Sequence, residues 1–459
     1  MRAALATLAL LAVIVGAIAQ PLGGGGLAGL GASAALIFYL ALEGWRCQMQ
    51  GRVILVLAIM AAAATLIWHP QPAAILSKAA IAASSIIGLF AALGFLREAA
   101  ETSPLVQQCG ELMVRQPPGR RYLVLTLGSH LISLVLNFGV LPLLGTMVMK
   151  GNTLEAAGGE QRIVDIRTRR MLSAMLRGFA MMTAWSPLSV SFAVTVVVIP
   201  GLDWTHLLPL QAGLASLMLA LGWYLDRRAY PPSSRPRATG EQRTDWLPAW
   251  RMTALVAAVV CTSVALAETL GVKLVVGAML TVPPSALVWL WWQKRQPALV
   301  LKELGYNVLR NMPNFRDEVA MLGGAMFAGT IAAAFLSPDS IGALVQGLGL
   351  PPLVLVILLA WSIMALAQLG VSQIASVTLL GGALVHVAPP LVLASAMMGA
   401  WGLSASSTVV GAAVLTVARI GGVSVKVVGR DWNGLYVLSG GLLLAVWLVV
   451  LEQAYVTFG

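Results

Sequence analysis

Ala180-Met181-Met182-Thr183-Ala184-Trp185 returns later in the chain as Ala396-Met397-Met398-Gly399-Ala400-Trp401. Each copy runs directly into residues that interrupt a helix: Ser186-Pro187-Leu188-Ser189 after the first, Gly402-Leu403-Ser404-Ala405-Ser406-Ser407 after the second. Proline removes a backbone donor, and glycine and serine clusters favour turns, so two helices are expected to break at matching points of a repeated unit. Inside a membrane, paired broken helices are the arrangement with which transport proteins build a site near the bilayer midplane.

Composition places the chain in a membrane without help from any motif. Hydrophobic residues make up 59% of the sequence and charged ones 10%, with a mean hydropathy of +0.86, which no soluble domain of this length shows. The formal net charge of +11 does not indicate nucleic acid, because Lys and Arg fall in short segments between apolar runs of bilayer length. Cys47, Cys109 and Cys261 are scattered and share no metal-ligand spacing with the four histidines, so neither a disulfide framework nor a zinc site is indicated and no cofactor is expected.

Apolar runs suggest spans near 3–20, 27–44, 53–69 and 75–96, then a polar stretch to Arg121. The run at 122–149 is interrupted at Asn137-Phe138-Gly139 and has basic segments on both sides. It is therefore expected to enter and leave by one face, as a re-entrant hairpin. Spans follow at 168–199 (broken), 206–225, 252–270, 272–292 and 317–336. A second hairpin is expected at 350–386, interrupted at Gln368-Leu369-Gly370-Val371-Ser372, then a broken span at 389–418 and a last span at 433–452. The fold class is thus an all-α polytopic membrane protein with about eleven spans and two hairpins.

With the N-terminus in the cytoplasm, the basic clusters at 46–52, 97–121, 150–170, 227–251, 294–316 and 419–430 all fall inside. The outer face receives little more than Lys78 and Lys273, and the C-terminus lies outside. This pattern implies a multi-pass protein of the cytoplasmic membrane. The halves, 27–225 and 252–452, run in opposite directions and read as an inverted repeat, with residues 1–26 as an added first helix and 226–251 as a Pro- and Ser-rich cytoplasmic linker. Met1-Arg2 with Ala17-Ile18-Ala19 also has the form of a cleavable signal sequence.

Backbone left free in hydrocarbon must be buried in protein or line a wet cavity. Half-helix ends offer N–H groups to anions and C=O groups to cations. Asn137, Gly139, Ser186, Ser189, Gln368, Gly370, Ser404 and Ser406 are the candidate contacts for a small carboxylate-like organic anion. Asn137, Thr183, Ser186, Gln368, Ser372 and Ser407 are those for a coupling ion, sodium being favoured by the lack of acidic residues near either break. Taken singly, such hydroxyls more often bond back to their own helix. Arg177 is expected to snorkel to the cytoplasmic surface, with contact to an anion as the alternative. His130 reads as a hydrogen-bonded packing residue or, alternatively, a proton relay.

The architecture resembles the ion transporter superfamily, which includes the divalent anion/sodium symporters and related carboxylate permeases. Those symporters carry Ser-Asn-Thr at each hairpin tip; here the matching positions read Leu136-Asn137-Phe138 and Ala367-Gln368-Leu369, so the chain would be a divergent branch. The resemblance implies a homodimer in which hairpins and broken helices slide as a unit against a scaffold of spans two to four, seven and eight. An accessory subunit is left open. The alternatives are a membrane-embedded enzyme, which needs paired carboxylates, a metal-binding His pair or an activated nucleophile that the sequence does not cluster, and a channel or sensor on the same fold.

Overall fold

The computed structural model describes residues 1–231, 245–335, 347, 349–409 and 411–458. It is helical, with no strand among the described residues, and eight segments are long and apolar enough to cross a membrane, with further shorter apolar helices. It is an all-α polytopic membrane protein. The helices are α1 (Arg2–Ala19), α2 (Gly25–Glu43), α3 (Met49–Trp68), α4 (Pro72–Glu101), α5 (Pro104–Val114), α6 (Pro118–Leu136), α7 (Val140–Gly151), α8 (Gln161–Met182), α9 (Val190–Val198) and α10 (Trp204–Ala229). After the linker come α11 (Leu247–Leu270), α12 (Leu274–Lys294), α13 (Pro297–Asn311), α14 (Arg316–Ala334), α15 (Pro352–Gln368), α16 (Gln373–Leu384), α17 (Pro390–Ala405), α18 (Ala412–Gly421) and α19 (Gly434–Phe458). The Pro- and Ser-rich part of the expected linker, 232–244, lies outside the described residues.

Two apolar segments fold back on themselves at short interruptions. Between α1 and α2 the chain reverses at Gly23 and Gly25, whose φ values of 109° and 54° only glycine adopts freely. The arms then pack on each other and on α4, burying Ala6, Leu10 and Val13, and Arg2 pairs with Glu43 at 3.0 Å. Between α6 and α7 the reversal falls on Asn137, at φ 49°. Asparagine is among the few side chains that tolerate this region.

Helices α1–α4, α11, α12 and α14 pack against one another, and the hairpins α6–α7 and α15–α16 pack against the broken helices α8–α9 and α17–α18. The packing of this second group is reciprocal. The first arm of each hairpin lies along the first part of the broken helix that follows it, α6 on α8 and α15 on α17. The second arm crosses to the other half, α7 onto α18 and α16 onto α9.

Small residues set the closest approaches, as is usual where no hydrophobic force distinguishes helix from lipid. A Cβ at Gly178 would stand 2.2 Å from Thr126 O, so α6 and α8 can meet there only over glycine. The residue that follows the second hexapeptide meets the first copy: a Cβ at Gly402 would lie 3.1 Å from both Ala184 Cβ and Met181 Cε and 3.3 Å from Ala180 O.

The basic segments converge on one end of the bundle. Gln48 N donates to Asp317 Oδ1 at 2.6 Å and Asn311 Nδ2 to Glu98 Oε1 at 2.7 Å. Arg170 forms two bonds to Asp226, of 3.0 and 2.7 Å, and Arg169 reaches Asp431 O at 3.0 Å. Helices α4 and α12 run from this end to the opposite one, where Lys78 and Lys273 lie.

The segment read as a polar stretch before Arg121 contains a short amphipathic helix, α5, and a second, α13, occupies what was read as part of a basic cluster.

Candidate functional site

The first break is a tight, self-contained turn. Helix α8 ends at Met182, and Thr183, Ala184 and Ser186 return their N–H groups to Ala180, Met181 and Met182 carbonyls at 3.1, 3.2 and 3.1 Å. Ser186 Oγ accepts from Leu188 N at 3.1 Å, and Ser189 donates to Ser186 O at 2.7 Å while capping α9 by accepting from Phe192 N at 3.2 Å. Serine is a preferred residue at a helix start for this reason. Thr183 Oγ1 donates to Ala180 O at 2.7 Å, and Ser191 Oγ donates to Thr183 O. These hydroxyls therefore satisfy the interrupted backbone.

The first hairpin reaches this turn through its arm and not through its tip. Trp185 Nε1 can only donate, so His130 Nε2 accepts at 2.9 Å and Nδ1 carries the proton given to Gly178 O at 3.0 Å. His130 is a hydrogen-bonded packing residue. At the tip, Phe138 meets Phe179 edge to face and Gly139 is buried near Arg97, whose Nε lies 3.7 Å from where a Cβ would be. The Asn137 amide is half-buried and has no hydrogen-bond partner among the described residues.

The second break is joined to its hairpin at the tip. Gln368 Nε2 donates to Ser407 Oγ at 2.7 Å, Thr408 Oγ1 to Ala367 O at 2.6 Å, and Gln373 Nε2 to Trp401 O at 3.0 Å. Ser404 and Ser406 bond back to Ala400 O and Leu403 O, each at 2.7 Å. Gly370, at φ 90°, closes the turn; Leu369 beside it is 80% exposed. Ser372 is half-buried at the start of α16.

Thr183, Ser186 and Ser189 thus come together, as do Gln368 and Ser407. No hydrogen bond among the described residues joins the first set to the second; the halves meet through Gly402 against Ala180 and Ala184.

Arg177 corrects the sequence reading. It neither snorkels nor faces an open site: it is 6% exposed and donates to Asn433 Oδ1 at 2.9 Å, Tyr122 Oη at 2.8 Å, Trp432 O at 2.9 Å and Gly222 O at 3.3 Å. Its guanidinium also lies 4.6 Å from the Tyr436 ring centroid. Planar, forked and always charged, it joins α6, α8, α10 and the start of α19. The signal that could have found it is an arginine inside an apolar run, but its partners lie 45 to 256 residues away.

No family model and no curated protein sequence matches the chain. Its structure is similar to that of the Alcanivorax borkumensis YdaH transporter, described as having an unusual topology. The TM-score is 0.52 at 13% identity, over 88% of this chain and 99% of that one. The chain shares the fold of that transporter. At this identity the likeness concerns the fold, and the ion transporter superfamily and the substrate stay outside it.

Proposed function

We propose that the protein is a secondary active transporter of a small organic anion, coupled to sodium or protons. The observation that carries this reading is the docking of each hairpin on the break that follows it in sequence, repeated in both halves with reciprocal packing of the second arms. Such packing supports 27–225 and 252–452 as an inverted repeat. Two interrupted helices side by side bring half-helix ends and neutral oxygens to one place, which suits a carboxylate beside a small cation.

In this reading the hairpins, broken helices, α10 and α19 slide as one unit against α1–α4, α11, α12 and α14. The gathering of basic segments at one end supports a cytoplasmic N-terminus, with the C-terminus on the outer side of the cytoplasmic membrane. The protein works as a homodimer, and the lipid bilayer is its other constant partner.

Residues Ala333 on α14 and Gly382 on α16 face each other across the boundary, with 3.2 Å between Ala333 Cβ and a Cβ placed on Gly382. Cysteines at both positions, with exposed Cys261 replaced by serine, form a disulfide on oxidation. Sodium- or proton-driven uptake of radiolabelled carboxylates into proteoliposomes should stop on oxidation and return on reduction. Unimpaired uptake by the cross-linked protein would refute sliding. Absence of driven uptake of any mono-, di- or tricarboxylate by the unmodified protein would refute the transport reading itself.

A further inference from the structure

Lys78 and Lys273, the cations that the charge pattern leaves away from the basic end, line the same cavity. It has a volume of about 940 Å³ and is bounded by the α1–α2 turn, α4, α12 and α14 on one side and by the end of α9 and α16 on the other. Its position is therefore the boundary between the two groups of helices. Lys78, Ile81, Ala82 and Ser85 share one face of α4, the spacing that puts them on consecutive turns. Lys273 stands at the start of α12, and His386 follows the end of α16. Both lysines and His386 are exposed, and neither lysine has a partner among the described residues. No carboxylate is among the described lining residues. The remaining walls are chiefly apolar, with Ile75, Val275, Val276, Met279 and Val197 among them.

A cavity of this size with apolar walls and a few convergent polar groups is the usual form of a small-molecule site. Unpaired cations in a concave, low-dielectric setting raise the local concentration of anions. An inorganic anion would make no use of the walls. We infer that the cavity holds a soluble organic anion with an apolar body, such as an alkyl or aryl carboxylate or sulfonate, with its charged head between Lys78 and Lys273. This deepens the transport reading by placing a vestibule for that anion at the end opposite the basic segments, and its test reads occupancy and not flux, so either can fail alone.

The test uses the full chain with Cys261→Ser and Ser85→Cys in nanodiscs of zwitterionic lipid. Cys47 and Cys109 are buried, so the engineered thiol is the reporter. A methanethiosulfonate carrying a sulfonate should modify it faster than one carrying trimethylammonium, by about tenfold relative to a free thiol. Lys78→Gln with Lys273→Gln should bring the ratio back towards that of the free thiol. Octanoate should slow modification, acetate should not, and the double glutamine variant should lose the protection. The inference is overturned if the thiol is unreactive to both reagents, if the ratio ignores the lysines, or if octanoate gives no protection. It is also overturned if protection arises only in nanodiscs containing phosphatidylglycerol and octanoate adds nothing, since an anionic lipid is then the occupant.

Discussion

The two hairpins start from the same plan and are fastened differently. In the second, the tip itself is bonded to the broken helix, through Gln368 to Ser407 and through Thr408 to Ala367 O. In the first, the arm is bonded through His130 and Trp185, and the tip amide of Asn137 has no partner among the described residues. A buried or half-buried amide without a partner is available to a ligand, whereas one already bonded must first exchange its partner. On the transport reading, the first tip would be the half prepared to bind, and the second tip the half that must let go.

Arg177 tests how far the first broken helix depends on bonds that also reach into the second half. Arg177→Ala removes bonds made by a charged donor and leaves Asn433 and Tyr122 short of a partner. It should lower stability by about 3 kcal/mol, read as a large fall in the detergent melting temperature. Arg177→Lys should recover only part of this, since an ammonium cannot span the forked geometry.

Asn137→Ala and Gln368→Ala break the comparison most directly. Gln368→Ala should cost about 1 kcal/mol of stability by orphaning the Ser407 hydroxyl from its donor. Asn137→Ala should leave the melting temperature unchanged within error while abolishing driven uptake. Equal destabilisation by the two would show that the tips are not differently fastened. Trp185→Phe keeps the packed ring and loses the donor to His130. It should cost roughly 0.5–1.5 kcal/mol, and a null result would mean that the first hairpin is held by its other contacts with α8, at Gly178, from Ser129 to Met175 O and between Phe138 and Phe179.

The smallest effect concerns how each half starts its last helix. Helix α19 starts next to Asn433, held by Arg177, whereas α10 is capped by Asp203, which accepts from Thr205 N at 2.9 Å, Thr205 Oγ1 at 2.6 Å and His206 N at 3.5 Å. Hydrogen bonds from Thr205, its hydroxyl first, hold the Asp203 carboxyl below its ordinary range. A depressed carboxylate contributes stability that is fully present at neutral pH and is lost as pH falls through the folded-state value. Asp203→Asn should flatten that acid limb of a melting-temperature profile, by a few tenths of a kcal/mol at such an exposed site.

Much of the framework was legible because its signals are local. Asn137 and Gly370 mark reversals, Pro187 and the serines mark breaks, and the repeated hexapeptide marks the pair of helices that meet at Gly402. The observed α8 begins at Gln161, earlier than the apolar run suggested, because its first turns lie at the basic end and carry charge. What the sequence hid was non-local. The bonds from Arg177 to Asn433 and Tyr122 join residues that nothing in the chain's local pattern relates. The hydroxyls of Thr183, Ser186 and Ser189 bond within their own turn, and those partners emerge only when the turn is folded. Lys78 and Lys273 were visible as a pair of stray cations, but their shared cavity depends on how α4 and α12 lean together.

The Arg177 network has an electrical consequence. Its hydrogen-bond partners, Asn433, Tyr122 and two backbone carbonyls, are all neutral, so among the described residues no carboxylate cancels its charge. On the sliding reading, the empty unit carries a fixed positive charge through whatever part of the membrane field it crosses. A full elementary charge across 100 mV corresponds to about 2.3 kcal/mol, so even a fraction of that would make the return of the empty unit sensitive to voltage. A monovalent anion bound alone would cancel the charge, whereas one bound with a single sodium ion or proton would leave it in place, so the voltage dependence of the loaded limb would report how many cations travel with the anion.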